Sequence, residues 1–212
     1  MFIELVDALR CPKPHEDTWL VASTDRMEDR DIVEGTLGCP VCGSEYPIHR
    51  GVARFGDARQ APPMHSAGPE LAMRLAAFLD LTDPHGFALL TGGWSACAAA
   101  LLELTSVHLV LLNPAAGVVA AAAVSVVEAY DAIPFADASF RGVALDETHA
   151  EAPLLDAGAR VLRPRGRLVA PASAPTPAGV TELARDARLW VAERDAGPPK
   201  LVSLSGRRDG PA

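Results

Sequence analysis

The sequence predicts an α/β protein in two unequal parts: a small β-rich module, then a doubly wound, mostly parallel sheet closed by a C-terminal antiparallel hairpin. Two observations predict the larger part. From residue 69 onward, apolar strand-like runs alternate with helical patterns, and alternation of this kind means parallel strands with helical crossovers. The turns that end these runs are rich in Gly and Pro. A third observation marks the smaller part: short β patterns bracketed by closely spaced Cys and His residues before residue 55.

Composition bounds the reading. The chain has 212 residues, 49% of them apolar, which is enough for a buried core and argues against wholesale disorder. The net charge of −8 disfavours a nucleic-acid surface, which needs a basic stripe. The short clusters Arg163–Arg165–Arg167 and Arg207–Arg208 read as solvated turns. Met1-Phe2-Ile3-Glu4 carries no basic n-region, so no signal peptide is expected. Residues 105–127 lack Asp, Glu, Lys and Arg, but Asn113-Pro114 interrupts them, so a strand, a turn and a small helix are expected rather than a membrane span. Four cysteines without a secretion signal fit a reducing, cytoplasmic setting, where short Cys spacings bind metal more often than they form disulfides.

Three segments are expected: residues 1–55, a Pro- and Gly-containing linker over 56–68, and a second domain over 69–208. In the first, apolar spacing over Phe2–Leu9 predicts a helix stopped by Pro12. Trp19–Ala22 and Asp31–Leu37 read as strands. Tyr46–Ile48 and Val52–Phe55 read as a hairpin turning at Arg50-Gly51, with Pro47 demoting its strand to an edge.

Cys11-Pro12-Lys13-Pro14-His15 and Cys39-Pro40-Val41-Cys42-Gly43 flank these strands. Zinc takes four thiolate or imidazole ligands as two close pairs, so Cys11, His15, Cys39 and Cys42 are the expected ligands of a closed, structural site. His49 is the substitute for His15. A redox reading of Cys39–Cys42 is weaker, because a redox pair belongs at a helix start in a βαβ unit. This segment resembles the zinc-ribbon activator subunits of tRNA and protein methyltransferases, through Leu9-Arg10-Cys11-Pro12, the run Glu34–Cys42, Glu45-Tyr46-Pro47-Ile48 and Gly51-Val52. It departs at Pro14, where the family commonly offers a second Cys. The resemblance implies a module that stabilises a methyltransferase.

In the second segment a helix is expected over Pro69–Leu81, with strands at Phe87–Leu90, Val107–Leu112, Val124–Val127, Gly142–Leu145 and Gly166–Ala170. Helices are expected through Ala98–Leu102, between Asn113 and Val124, and over Pro153–Leu162, and a closing hairpin from Leu189–Glu193 and Leu201–Leu204. The run Ala132–Phe140 followed by Ala159–Val169 resembles class I methyltransferases that use S-adenosylmethionine. That resemblance implies a cofactor site at Gly92, Gly93 and Asn113. It also implies acids that this chain lacks: Leu90, Leu111, Leu112, Ala129 and Arg141 stand where the family often has them, and Trp94 replaces a further glycine.

The expectation is therefore a pseudo-methyltransferase with no catalytic residues, acting in binding, scaffolding or regulation with an unidentified protein partner, and binding S-adenosylmethionine weakly or not at all. The alternative is an active S-adenosylmethionine-dependent methyltransferase with its zinc-ribbon activator fused in cis. Two further groups are set aside. Glu147, His149 and Glu151 read as a solvated loop after a strand, and Cys97 as buried packing between Ala96 and Ala98.

Overall fold

The computed structural model describes residues 1–57, 59, 61 and 68–197. Eleven strands form one sheet. In chain order they are β1 (Val21–Glu28), β2 (Asp31–Gly38), β3 (Glu45–His49), β4 (Val52–Arg54), β5 (Phe87–Thr91), β6 (His108–Leu112), β7 (Val124–Glu128), β8 (Phe140–Ala144), β9 (Leu162–Pro171), β10 (Val180–Arg185) and β11 (Leu189–Arg194). The helices are α1 (Pro69–Phe78), α2 (Ala98–Leu104) and α3 (Ala152–Val161).

The spatial order is β1-β2-β3-β4-β7-β6-β5-β8-β9-β11-β10. The strands β4, β7, β6, β5, β8 and β9 are mutually parallel, and antiparallel pairs flank them on both sides. From β5 the chain winds outward to β6 and β7, then crosses back to β8 and β9, so the switch point lies between β5 and β8. The segment expected to be a zinc ribbon extends the central sheet: Val52, Ala53 and Arg54 pair in register with Val126, Val127 and Glu128.

Each strand of the parallel core sends alternate side chains to two apolar layers. Leu89, Val110 and Leu112 pack on one face with residues of α3 and of the N-terminal segment, and Leu90, Leu109 and Leu111 pack on the other with α1 and α2 residues. The N-terminal segment joins through Leu5, Leu37 and Ile48, all buried, with Phe55 beside them. Each such side chain contributes about 1.5–3 kcal/mol. Phe2 stacks on His108 at 4.7 Å, and its N–H donates to Ser125 Oγ at 2.9 Å.

Several expected elements differ. The N-terminal helix is a 3₁₀ segment, Ile3–Ala8, ending at extended Leu9 because Leu9 bridges to Phe135. β3 lies inside the sheet, yet Pro47 is tolerated because β4 is short and pairs only with Ile48 and His49. No helix forms between β6 and β7 among the described residues: Pro114 removes a donor, and Asn113, Gly117 and Ala123 adopt positive φ. The closing hairpin pairs β11 with β10, a segment for which the sequence suggests no element, while Leu201–Leu204, the expected partner, lies outside the described residues. No described helix is long and apolar enough to cross a membrane.

Candidate metal centre and the crevice at the switch point

The first site is the Cys/His cluster. Cys11 follows Arg10, whose N–H donates to the Pro134 carbonyl at 2.9 Å, anchoring the first knuckle to the larger sheet. Cys39 follows β2, and the turn to β3 closes by bonds from Gly43 N–H to the Cys39 carbonyl (2.9 Å) and Cys39 N–H to the Ser44 carbonyl (2.8 Å). Gly43 has φ +68°, a conformation that glycine adopts without strain.

The ligand atoms of Cys11, His15, Cys39 and Cys42 all lie within 4.8 Å of one another. Cys11 Sγ and Cys42 Sγ are 3.8 Å apart, and Cys39 Sγ and His15 Nε2 are 3.4 Å apart. Zinc–sulfur bonds of about 2.3 Å and zinc–nitrogen bonds of about 2.0–2.1 Å give tetrahedral edges of roughly 3.8 and 3.5 Å. The donor set and its spacing fit that ion.

Groups around the cluster favour ligation. His15 Nδ1 donates to the Glu16 carbonyl at 2.6 Å, which leaves Nε2 facing the sulfurs and pushes the His15 pKa up. Hydrogen bonds from the Ser44 hydroxyl and backbone pull the Cys42 thiol down to about 6. Tyr46 Oη lies 3.1 Å from Cys11 Sγ, and its ring packs on Phe55 at 4.6 Å. His49 is elsewhere, exposed on β3 and paired with Glu34. The sequence does not mark Ser44 and Tyr46 as part of this site; their positions two and four residues after Cys42 are the signal that they lie near the cluster.

The second site is the crevice beyond the C-terminal ends of β5 and β8, where doubly wound sheets bind ligands. Gly92 and Gly93 follow β5 as expected, but their turn is already filled. The carboxylate of Asp146, buried at 3% exposure, accepts from Gly93 N–H (2.8 Å), Thr91 Oγ1 (3.0 Å), Thr148 Oγ1 (3.0 Å) and His149 Nδ1 (2.6 Å). A Cβ added at Gly92 would lie 2.2 Å from Asp146 Oδ2. Glycine is needed here so that the protein's own carboxylate can approach the backbone. Burial alone would push the Asp146 pKa up; bonds from His149, Gly93 and Thr91 outweigh it, and the net shift is downward.

Asn113 is fully engaged as well. Its Oδ1 accepts from Ala129 N–H at 2.7 Å, and its Nδ2 donates to the Ala129 carbonyl at 3.0 Å. These two bonds fix the amide orientation, so Nδ2 faces His149 Nε2 at 3.1 Å and donates to it. His149 Nε2 must then be unprotonated, and Nδ1 carries the proton shared with Asp146. The result is a continuous chain from the glycine turn through Asp146, His149 and Asn113 to the backbone after β7.

This corrects the solvated-loop reading of His149, which is buried; its neighbours Glu147 and Glu151 are exposed. Alternating spacing drew attention to residues 147, 149 and 151. The operative pair is Asp146 and His149, three apart in a turn, and the readable signal was an acid immediately beyond a strand at the switch point. Leu111 and Leu112 are buried in the two apolar layers. Arg141 donates to the carbonyls of Asp80, Asp83 and His85. Cys97 is buried, and burial pushes its thiol up to about 11. Trp94 is buried beside a remaining cavity of about 430 Å³, also lined by Arg74, Glu147 and Arg188.

No family model and no curated protein matches the chain. Among solved structures it is similar to the complex between the Haloferax volcanii Trm112 methyltransferase activator and a protein described as a methyltransferase (19% identity, 47% of this chain, 50% of that chain, TM-score 0.40). It is similar also to geranyl diphosphate C-methyltransferase from Streptomyces coelicolor (15%, 48%, 42%, 0.39) and to the antibiotic-resistance methyltransferase Kmr (18%, 59%, 93%, 0.39). The chain spans half the length of the first of these and less than half of the second. At TM-scores near 0.4 the strand order and the site geometry, not these likenesses, carry the functional reading.

Proposed function

We propose that this chain is a pseudo-methyltransferase: a methyltransferase-like sheet that does not methylate, carrying a structural zinc at Cys11, His15, Cys39 and Cys42, and working by binding a protein partner. Residues 1–55 are the zinc-bearing part, 56–68 the connection and 69–208 the larger part. The observation that carries the reading is the Asp146 carboxylate seated in the Gly92-Gly93 turn. A cofactor bound there needs the backbone N–H of the turn and polar groups beyond β6. Asp146 already holds the first, and Ala129 and His149 hold the side chain of Asn113. A ligand must displace a buried, charge-assisted network, and each such bond is worth roughly 1.5–3 kcal/mol. Loss of two or three moves a micromolar site to about millimolar or weaker, at 1.4 kcal/mol per tenfold.

A second reading has one observation in its favour. The ribbon and the parallel sheet share strands through β4 and β7, as an activator fused in cis to a working methyltransferase would. Calorimetric titration of the full chain with S-adenosylmethionine and S-adenosylhomocysteine separates the two. The zinc is tested by elemental analysis of protein purified without added metal; about one zinc per chain is expected, and iron or no metal overturns the assignment.

A further inference from the structure

At the N-terminal ends of β8 and β9, on the edge opposite the filled crevice, four arginines help to line a cavity of about 190 Å³: Arg141, Arg163, Arg165 and Arg167. In a chain of net charge −8 this concentration needs a reason. Among the described residues, Asp80 and Asp83 oppose it, at 3.9 Å from Arg167 and 3.3 Å from Arg141. Arg163 and Arg165 have no ion pair or side-chain hydrogen bond among the described residues, and both are exposed.

The backbone is shaped to present these groups. β8 and β9 pair at Phe140–Leu162 and next at Gly142–Arg167, so residues 163–166 bulge opposite Arg141 alone. Gly166 closes the bulge against backbone, since a Cβ there would lie 2.9 Å from the carbonyls of Arg141 and Arg163. Arg165 sits at φ +64°, the left-handed region, where a glycine would be unstrained and a long side chain is not. Arg163 lays its guanidinium against Gly86, which has no side chain to exclude it. Arg141 is held by backbone carbonyls through its terminal nitrogens, and its Nε is buried without a partner among the described residues. Buried donors in folded proteins are normally matched.

We propose that this cavity is an oxyanion site for the phosphate class, taking free phosphate or the phosphoryl group of a small molecule. Planar guanidinium forks match such oxygens in geometry and charge, and four arginines lining one cavity give a denser positive charge than a diffuse basic surface. The volume suits a single phosphoryl group, and the acidic surroundings disfavour a polyanion lying across it.

The test titrates the full chain with inorganic phosphate at low ionic strength, with sodium chloride at matched ionic strength as control. Saturable one-to-one binding is expected, weakened at least tenfold in Arg163→Ala and in Arg165→Gly. Arg165→Gly relieves the left-handed strain, so it is expected to melt at or above the wild-type temperature, which separates lost binding from lost folding. Ribose 5-phosphate binding more tightly than phosphate assigns the site to a phosphorylated metabolite, and equal affinity assigns it to the free anion. Absence of saturable binding beyond chloride, unchanged binding in both variants, or binding of single-stranded RNA without binding of phosphate overturns the proposal.

Discussion

Replacing Asp146 by Ala removes the acceptor at the centre of the crevice. Four donors then lose their partner: the Gly93 N–H, the hydroxyls of Thr91 and Thr148, and His149 Nδ1. Hydrogen bonds to a charged group contribute about 1.5–3 kcal/mol each, but they act as one network, and water entering the vacated space restores part of the loss. A buried donor left without its acceptor costs about 1–3 kcal/mol, and with four donors acting as one network a loss of about 3–5 kcal/mol is expected. Total stabilities run about 5–15 kcal/mol, so the variant remains folded but is markedly weakened. The assay is urea unfolding followed by tryptophan fluorescence, because Trp94 is buried next to the glycine turn. With a slope of about 2–3 kcal/mol per molar, the midpoint falls by roughly 1–2 M at unchanged slope. Asp146→Asn keeps the shape and one acceptor, and is expected to lose about half as much. A midpoint within about 0.2 M of wild type for Asp146→Ala would refute the claim that this carboxylate organises the crevice.

The same carboxylate has a depressed pKa, so its contribution is present above the ordinary value of 3.8 and is lost as pH falls through the folded value; in Asp146→Asn the acid limb of the stability profile below about pH 4 is expected to be shallower. His108 titrates in a different window: burial beneath the ribbon lowers it to about 4 from 6.5, so the folded state excludes its charged form and stability falls between pH 6.5 and about 4. After discounting for partial exposure, about 1–2 kcal/mol is at stake, and His108→Gln is expected to flatten that limb in urea midpoints measured across the range. Cys39→Ser is expected to lose the metal and unfold the ribbon, read by metal content and by loss of near-ultraviolet circular dichroism, because metal binding and folding of such modules are one free energy. Tyr46→Phe removes the hydroxyl 3.1 Å from Cys11 Sγ and is expected to weaken zinc affinity 10–100-fold in chelator competition while leaving the fold intact.

The grouping of Cys11, His15, Cys39 and Cys42 was legible in the sequence because ligand chemistry asks for both residue type and spacing: Cys39 and Cys42 meet in a tight turn, and Gly43 permits it. What spacing left open, the choice between His15 and His49, depended on which backbone turns toward the sulfurs. The parallel core was also readable, since Phe87–Leu90, Leu109–Leu112 and Val124–Val127 are apolar on both faces. The strand pairing that joins β4 to that core was not, because Val52–Arg54 against Val126–Glu128 is a long-range register that no local pattern encodes. Asp146 was missed for a related reason: alternation singled out its neighbours, while its role comes from a glycine turn more than fifty residues earlier in the chain. The β10 strand, Val180–Arg185, has mostly exposed side chains, half of them polar, and its strand character comes from pairing with Leu189–Arg194.

Calorimetric titration of the metal-loaded full chain with S-adenosylmethionine tests the central claim most directly. If Asp146, His149 and Asn113 fill the crevice as described, no saturable binding tighter than about millimolar is expected, and S-adenosylhomocysteine behaves the same. A dissociation constant in the low micromolar range, or cofactor carried through purification, contradicts the account: it would mean that the Asp146 network yields to the cofactor, and that the chain is a methyltransferase with its zinc ribbon built in.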